Sequence, residues 1–459
     1  MNVRMRREAP SKSKIPLLLI FALYIVLALG FIQVTPYRTA GYLPYQGYQK
    51  DIGAPDERQH VNYIRTLAHV RRFPVFGEGE GYETYESHQP PLYYLLCAPL
   101  SAIVGTENLA LEMWTLRSVN VVLGLFVVAL MFKVVKGFTN DEGVALFCAG
   151  FVALLPMFLA LSAAVNNDIL LYLIGLWSFA IIVEAWNKGW NTKRASWLGL
   201  SLGLGLLTKT SALVYWIPVL ASMILWKSYR AQLRYIILTF ALALLIASPW
   251  LIRNYLLYGD PLAIRIFQEA FHTYPASKAI ADSGFWGYWL EWVALRALWS
   301  FWGVFSYFEI NMEMWVYWLL SIPAALGILG FLVRIFTKNS VFTKNPMERS
   351  FHCLNFILFV IVLYTFIQFN TVYYQAQARY LFPALIFFVS IVGFGFRTIS
   401  DGLSKLISES RVWFSGLAGG FLFLLFVADM YCLLWLLPIG FYRITHPEEL
   451  QSIKYSTDT

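Results

Sequence analysis

The chain has 459 residues, of which 58% are hydrophobic and 14% charged, and its apolar runs recur from residue 15 to residue 437. Such values exclude a soluble globular protein and indicate an all-α polytopic membrane protein. The formal charge of +8 does not point to nucleic acid, because excess Lys and Arg in a membrane chain collect in cytoplasmic loops.

In chain order, the basic opening MNVRMRREAPSKSK precedes an apolar run from Ile15 to Val34 with no small-residue cleavage site behind it. This reads as an uncleaved signal anchor with its N-terminus inside. Further membrane-length runs are predicted near 117–136, 143–162, 168–187, 195–209, 211–226, 234–251, 314–335, 352–369, 379–397 and 412–436, about 11 spans in all. With this topology the cytoplasmic segments 1–14, 133–142, 188–194, 227–234, 334–349 and 397–411 carry 20 of the 35 Lys and Arg residues. The C-terminus then lies outside.

Two stretches test the scheme. PPLYYLLCAPLSAIVG (90–105) is too short to cross, and counting it would turn every later basic loop outward, so it is predicted as an interfacial or re-entrant helix on the outer side. The run 195–226 is basic at both ends, which predicts two short helices meeting outside at TKTS. Residues 1–459 read as one transmembrane domain with two outer loops, 35–116 and 252–313. The Trp- and Phe-rich second loop is expected to lie along the headgroup layer. Cys97, Cys148, Cys353 and Cys432 sit apart in apolar segments, without metal-ligand spacing, and read as packing residues.

Polar residues gather at the outer ends of the predicted spans. In PDERQH, Pro55 can start a helix in which Asp56 and His60 share a face and Val61, Ile64 and Leu67 form a membrane-facing stripe. Capping by Asp56 and dipole complementation by Glu57 compete with a functional role. In ESHQPPLYY the Pro90–Pro91 pair makes a rigid corner carrying His88 and Gln89. In SAAVNND, Asp168 stands at the head of a span, where capping again competes. Lys209, Arg253 and Arg379 are cations at outer helix ends, against the positive-inside trend. An anionic lipid phosphate would suit them, Arg as a two-pronged donor and Lys as a point charge.

In order, PDERQH, HQPPLYYLL, VNND, GLLTKTSAL, RNYLLYGDPL and RYLFPAL resemble the GT-C superfamily of membrane glycosyltransferases. The similarity is greatest to the protein O-mannosyltransferase and aminoarabinose transferase branches, and it runs over nearly the whole chain. The resemblance implies a GT-C fold in a plasma membrane and a polyprenyl-phosphate-linked sugar as donor, the acceptor being a lipid, glycan or protein. It also implies that Asp56 is the catalytic base, with Glu57 completing the acidic pair. His60, His88, Gln89, Asn167, Asp168, Lys209, Arg253, Arg379 and Tyr380 are then the expected substrate-binding residues. Direct displacement predicts inversion at the anomeric carbon. No D-x-D pair of the oligosaccharyltransferase kind occurs in the first outer loop. A divalent cation, Mg²⁺ or Mn²⁺, is expected only as an auxiliary, with Asp56 and Asp168 as its candidate ligands. A transporter or lipid flippase is the competing class, since it too needs charges facing an internal cavity. The clustering of polar groups toward the outer leaflet favours the enzyme.

Overall fold

The computed structural model of the protein describes residues 14–44, 47–78, 83–226, 229–270, 275–336, 346–405 and 410–448. The basic opening and the C-terminal tail from residue 449, with parts of the basic segments near 227, 340 and 407, lie outside the described residues.

The chain is built from helices, and two-stranded hairpins (Gly41–Leu43 with Gly47–Gln49, Val304–Phe305 with Ile310–Asn311) are the only paired strands among the described residues. The first ten helices are α1 (Lys14–Val34), α2 (Glu57–Arg65), α3 (Leu92–Val104), α4 (Leu109–Thr139), α5 (Glu142–Ala153), α6 (Pro156–Ser162), α7 (Asp168–Lys188), α8 (Thr192–Thr208), α9 (Trp216–Trp226) and α10 (Tyr229–Tyr258). Among the described residues, 8 helices are long and apolar enough to cross a membrane, or 9 if α5 and α6, bent by 61°, make one broken span. Every predicted span corresponds to a helical segment, but eleven crossings require the bent pair and both short segments at 192–208 and 210–226 to span as well.

Local chemistry explains where helices begin and break. The side chains of Asn108, Asp141 and Asn191 accept backbone N–H bonds at the starts of α4, α5 and α8, the usual role of short polar residues there. Between α8 and α9, Lys209 is extended (φ −159°, ψ 137°) and a 3₁₀ turn, Thr210–Tyr215, follows. The predicted break at TKTS is therefore present. Late in the chain, the Met314–Phe336 and Leu385–Ser404 helices meet at Gly327 and Gly395, where an added Cβ on Gly395 would lie 1.6 Å from the Gly327 carbonyl oxygen. Only glycine permits this approach, a mode of helix contact suited to lipid, where apolar burial supplies little drive.

Two boundaries and one face differ from expectation. α4 starts at Leu109, not 117, and α10 continues through Pro249 to Tyr258, so Arg117 and Arg253 lie inside helices. The PPLYYLL segment forms the 13-residue α3, about 20 Å long and short of a bilayer core. The Val61, Ile64 and Leu67 stripe does not face lipid. Val61 and Ile64 are fully buried, and together with Leu67 they pack on Tyr93, Tyr94 and Leu116, because α2 is clasped between α3 and α4. The exposed apolar row that would contact lipid in this region belongs instead to Leu95, Leu96 and Ile103 of α3. In the second outer loop, Phe285, Trp286 and Leu290 are exposed, as an interfacial segment requires. Cys97, Cys148 and Cys432 are buried and unbridged.

Candidate functional site

The first outer loop reaches the site through a tight turn. Gly53 sits so close to Pro36 that a Cβ would lie 2.1 Å from the Pro36 oxygen, and the turn delivers Asp56 in a left-handed conformation (φ 61°, ψ 0°) at the start of α2. Asp56 occupies the N-cap position, yet its side chain makes no capping hydrogen bond. Its Oδ2 instead accepts a hydrogen bond from Arg379 Nη2 at 2.8 Å, with 30% of the Asp56 side chain accessible. Capping therefore does not account for this acid.

Glu57 has a different fate. Arg117, itself fully buried, grips it with two bonds, Nε to Oε1 at 2.8 Å and Nη2 to Oε2 at 2.6 Å. The Val165 N–H donates to Oε1 at 2.8 Å. Arg117 also donates to the carbonyls of Ile32, Thr35 and Pro36. The expected catalytic acidic pair is thus divided: Asp56 faces the site, and Glu57 is committed to a buried ion pair that ties the end of α1 to α4 and to the loop before α7. A second carboxylate in this region, Glu112, is likewise held by Arg65 (2.7 and 2.6 Å) and by the Tyr37 hydroxyl at 2.8 Å.

Asp168 and Lys209 make the second ion pair of the site, Nζ to Oδ1 at 2.5 Å. Asp168 begins α7, but its carboxylate turns to Lys209, and its backbone N–H is bonded by Asn166 Oδ1 at 3.0 Å. The extended backbone at Lys209 aims the ammonium across to α7. Asn167 is buried and donates to Gln89 Oε1 at 3.3 Å and to the Thr208 carbonyl at 3.2 Å, so it and Gln89 join α7, α8 and the ESHQPP corner and support the site from behind.

His60 and His88 are both buried. His60 Nδ1 lies 2.8 Å from the Tyr94 hydroxyl and 4.0 Å from Glu86 Oε2, and burial lowers its pKa to about 3. His88 Nδ1 is bonded by the Tyr85 carbonyl at 2.8 Å and the ring packs on Phe267; burial lowers its pKa to about 4. Both imidazoles are neutral at pH 7. Tyr380 lies beside Arg379, its hydroxyl 3.4 Å from Nη2.

Two departures from the sequence reading concern charge. Arg253 is not brought to the Asp56 cluster by any bond: it donates to the Pro74 carbonyl at 2.8 Å and lies over Trp250, 4.4 Å from the ring centroid, so it pins the first outer loop to α10. Glu86, in contrast, belongs to the cluster although its sequence context does not single it out. It is 5% exposed, its Oε2 is buried without a hydrogen-bond partner, and it feels the charges of Asp56, Lys209, Arg379 and Asp168. Burial first, then the Asp56 charge, push its pKa up to about 8. Its position beside His88 in ESHQPP was the available signal.

Asp56 and Asp168 each face a protein cation, and among the described residues no group of three or more His, Cys, Asp or Glu side chains is disposed to hold an ion. Two protein cations, Arg379 and Lys209, already supply positive charge of the kind that Mg²⁺ or Mn²⁺ would bring.

Beside Arg379 opens a small cavity of about 50 Å³. Gly53, Ala54 and Pro55 form one wall next to Asp56, with α6, the 304–308 hairpin and the helix Leu437–Thr445 forming the others.

Residues 88–252 match the family model described as dolichyl-phosphate-mannose-protein mannosyltransferase. A comparison with curated protein sequences gave no match. Among solved structures, the chain is similar to ArnT from Cupriavidus metallidurans bound to undecaprenyl phosphate, with a TM-score of 0.57, 12% identity, and coverage of 94% of this chain and 78% of that one. It is also similar to the oligosaccharyltransferase AglB from Archaeoglobus fulgidus in complex with an inhibitory peptide and a dolichol-phosphate (TM-score 0.53, 14% identity, 90% and 55% covered). An oligosaccharyltransferase from Archaeoglobus fulgidus in complex with Zn and sulfate matches at a TM-score of 0.51 with 15% identity, covering 89% and 53%. The chain spans about half the length of the archaeal proteins.

Proposed function

We propose that this chain, a multi-pass membrane protein of GT-C type, transfers a sugar from a polyprenyl-phosphate donor to an acceptor hydroxyl at the outer face of the plasma membrane, its N-terminus cytoplasmic. The observation that carries this reading is the convergence of Asp56, Arg379, Asp168 and Lys209 from four distant segments into two adjacent ion pairs. The fold likeness supports it, because the solved relatives include one bound to undecaprenyl phosphate and one in complex with a dolichol-phosphate.

The reaction demands opposite things at its two ends. The acceptor hydroxyl must lose a proton as its oxygen bonds the anomeric carbon, and the departing phosphate oxygen must take the electron pair of the breaking C–O bond. Asp56 takes the proton, and Arg379 and Lys209 hold the phosphate. In the resting state each cation is masked by a carboxylate. Arrival of the donor phosphate draws Arg379 from Asp56, which leaves the carboxylate oxygen free to act as a base. Asp168 keeps Lys209 directed into the site and bonds sugar hydroxyls, and Tyr380 orients the Arg379 guanidinium. His60 and His88, both neutral, offer hydrogen bonds without adding charge. Attack from the face opposite the phosphate gives inversion.

The test is incubation of the purified protein in liposomes with a panel of radiolabelled polyprenyl-phosphate sugars. Release of free polyprenyl phosphate that depends on Asp56 supports the proposal. Binding of the lipid followed by its movement between leaflets, with the sugar bond intact, would establish a flippase instead.

A further inference from the structure

Asp56 is bonded to Arg379 and Asp168 to Lys209, which leaves Glu86 as the acid of the cluster without a cation of its own. It stands on the 3₁₀ turn Tyr85–His88 and is 5% exposed. Its one ion-pair contact among the described residues is with His60, 4.0 Å from Nδ1 to Oε2. That imidazole is neutral and already engaged by the Tyr94 hydroxyl at 2.8 Å. An ionised carboxylate buried without a counter-charge is costly, so Glu86 keeps its proton at pH 7. Its Oε2 is buried and bonds nothing, and a buried polar atom left in this way calls for a physical reason.

We infer that Glu86 is a sugar-contacting residue, a neutral carboxyl that hydrogen-bonds a hydroxyl of the donor sugar and selects for it; this rests on the transferase reading above. The sugar ring must lie between the base and the cations that receive the phosphate, because one bond of its anomeric carbon forms while the other breaks. The charges of Asp56, Lys209, Arg379 and Asp168 all reach Glu86, which sets its carboxyl among those same groups. A protonated carboxyl offers a donor and an acceptor, as a sugar hydroxyl does. An ionised acid there would repel the incoming phosphate, whereas the neutral form adds no charge to the two ion pairs. Oε2 is covered at rest, so the contact forms as Arg379 moves from Asp56 to the donor phosphate, a motion the transfer already requires. A sugar without that hydroxyl would leave the carboxyl unpaired, which is how a buried polar group discriminates between substrates.

The experiment measures binding to the full-length protein in nanodiscs of phosphatidylethanolamine and phosphatidylglycerol at pH 7. The probes are undecaprenyl phosphate and the same lipid bearing glucose, mannose or galactose. Glu86→Leu should weaken the best-bound hexosyl lipid by about tenfold and leave the affinity for undecaprenyl phosphate, which carries no sugar, unchanged. Glu86→Gln, which keeps a donor and an acceptor, should retain most of the hexosyl affinity. Glu86→Met provides the same comparison should Glu86→Leu not yield monodisperse protein. An equal loss for both kinds of lipid, an equal loss in Glu86→Gln and Glu86→Leu, or hexosyl binding indifferent to Glu86→Leu would overturn the assignment. So would unmodified protein that binds undecaprenyl phosphate but none of the three hexosyl lipids. Failure of the unmodified protein to bind undecaprenyl phosphate would count against the transferase reading itself, and so the two failures are distinguishable.

Discussion

Asp56 and Arg379, 323 positions apart in the chain, meet through one hydrogen-bonded ion pair of 2.8 Å. The first belongs to the loop after α1 and the second to the start of a span near the end of the chain, so the contact joins the two ends of the bundle over the proposed site.

Replacing Asp56 by Asn keeps the shape and the tolerance for left-handed backbone but removes the proton acceptor. Transfer should fall by about 10²–10⁴-fold, the usual range for a lost general base, with membrane expression unchanged. Turnover at the unmodified level, measured with a labelled donor in liposomes, would remove Asp56 from the base role.

Arg379→Ala should weaken use of the lipid donor more than it disturbs folding, and Arg379→Lys should recover only part of the loss, because a point charge cannot reproduce a planar two-bond grip. The check is the apparent affinity for undecaprenyl phosphate alongside the melting temperature. Equal affinities in all three proteins would exclude phosphate contact.

The Glu57–Arg117 pair predicts a stability effect, not a chemical one. Glu57→Gln leaves a buried guanidinium short of its counter-charge and is expected to cost about 3–5 kcal/mol, read as a fall in thermal stability in detergent. The double replacement Glu57→Leu with Arg117→Met should recover part of it. If Glu57→Gln melts like the unmodified protein yet is inactive, Glu57 takes part in the reaction and the structural assignment is wrong.

Glu86 predicts a pH dependence. Its folded pKa of about 8 lies above the ordinary 4.5, so the folded protein holds a proton that the unfolded chain gives up. Stability linked to this group is therefore greatest below pH 4.5 and declines as pH rises toward about 8. Glu86→Gln, which cannot ionise, should flatten the fall in melting temperature between pH 6 and about 8. An unchanged slope would mean that Glu86 is ionised throughout.

Chelation provides a further check on the cation sites. With Lys209 and Arg379 neutralising the phosphate, EDTA treatment should leave undecaprenyl phosphate binding within about twofold of the untreated protein, since two ion-paired cations can replace one hard metal. A loss restored by Mg²⁺ or Mn²⁺ would reinstate Asp56 and Asp168 as ligands.

Much of the helical framework was legible in the sequence because it follows from length and hydropathy. The break at Lys209 was visible as a conflict between two basic flanks, and the short α3 as an apolar run too brief to cross. Other features could not be read that way. Glu57 and Asp56 are neighbours in the sequence, and nothing local says that one turns outward while the other meets an arginine sixty positions later. Arg117 and Arg253 lay at predicted span edges, and their helices overrun the apolar core, which buries the Arg117 charge and sets Arg253, half-buried, against the first outer loop. Glu86 was hidden by its own neighbours, since a carboxyl near a proline pair reads as solvent-exposed until packing closes over it. The Val61 stripe was correct in periodicity and wrong in direction, because periodicity defines a face but not what covers it.

The left-handed backbone at Asp56 has a consequence for which acids the position accepts. Asp and Asn are among the few non-glycine residues that adopt this conformation readily, whereas longer or branched side chains do so at a cost. Glutamate would reach one methylene farther from a less comfortable backbone and overshoot the Arg379 guanidinium. The turn thus acts as a ruler, fixing how far the carboxylate extends by restricting which amino acid can occupy that place.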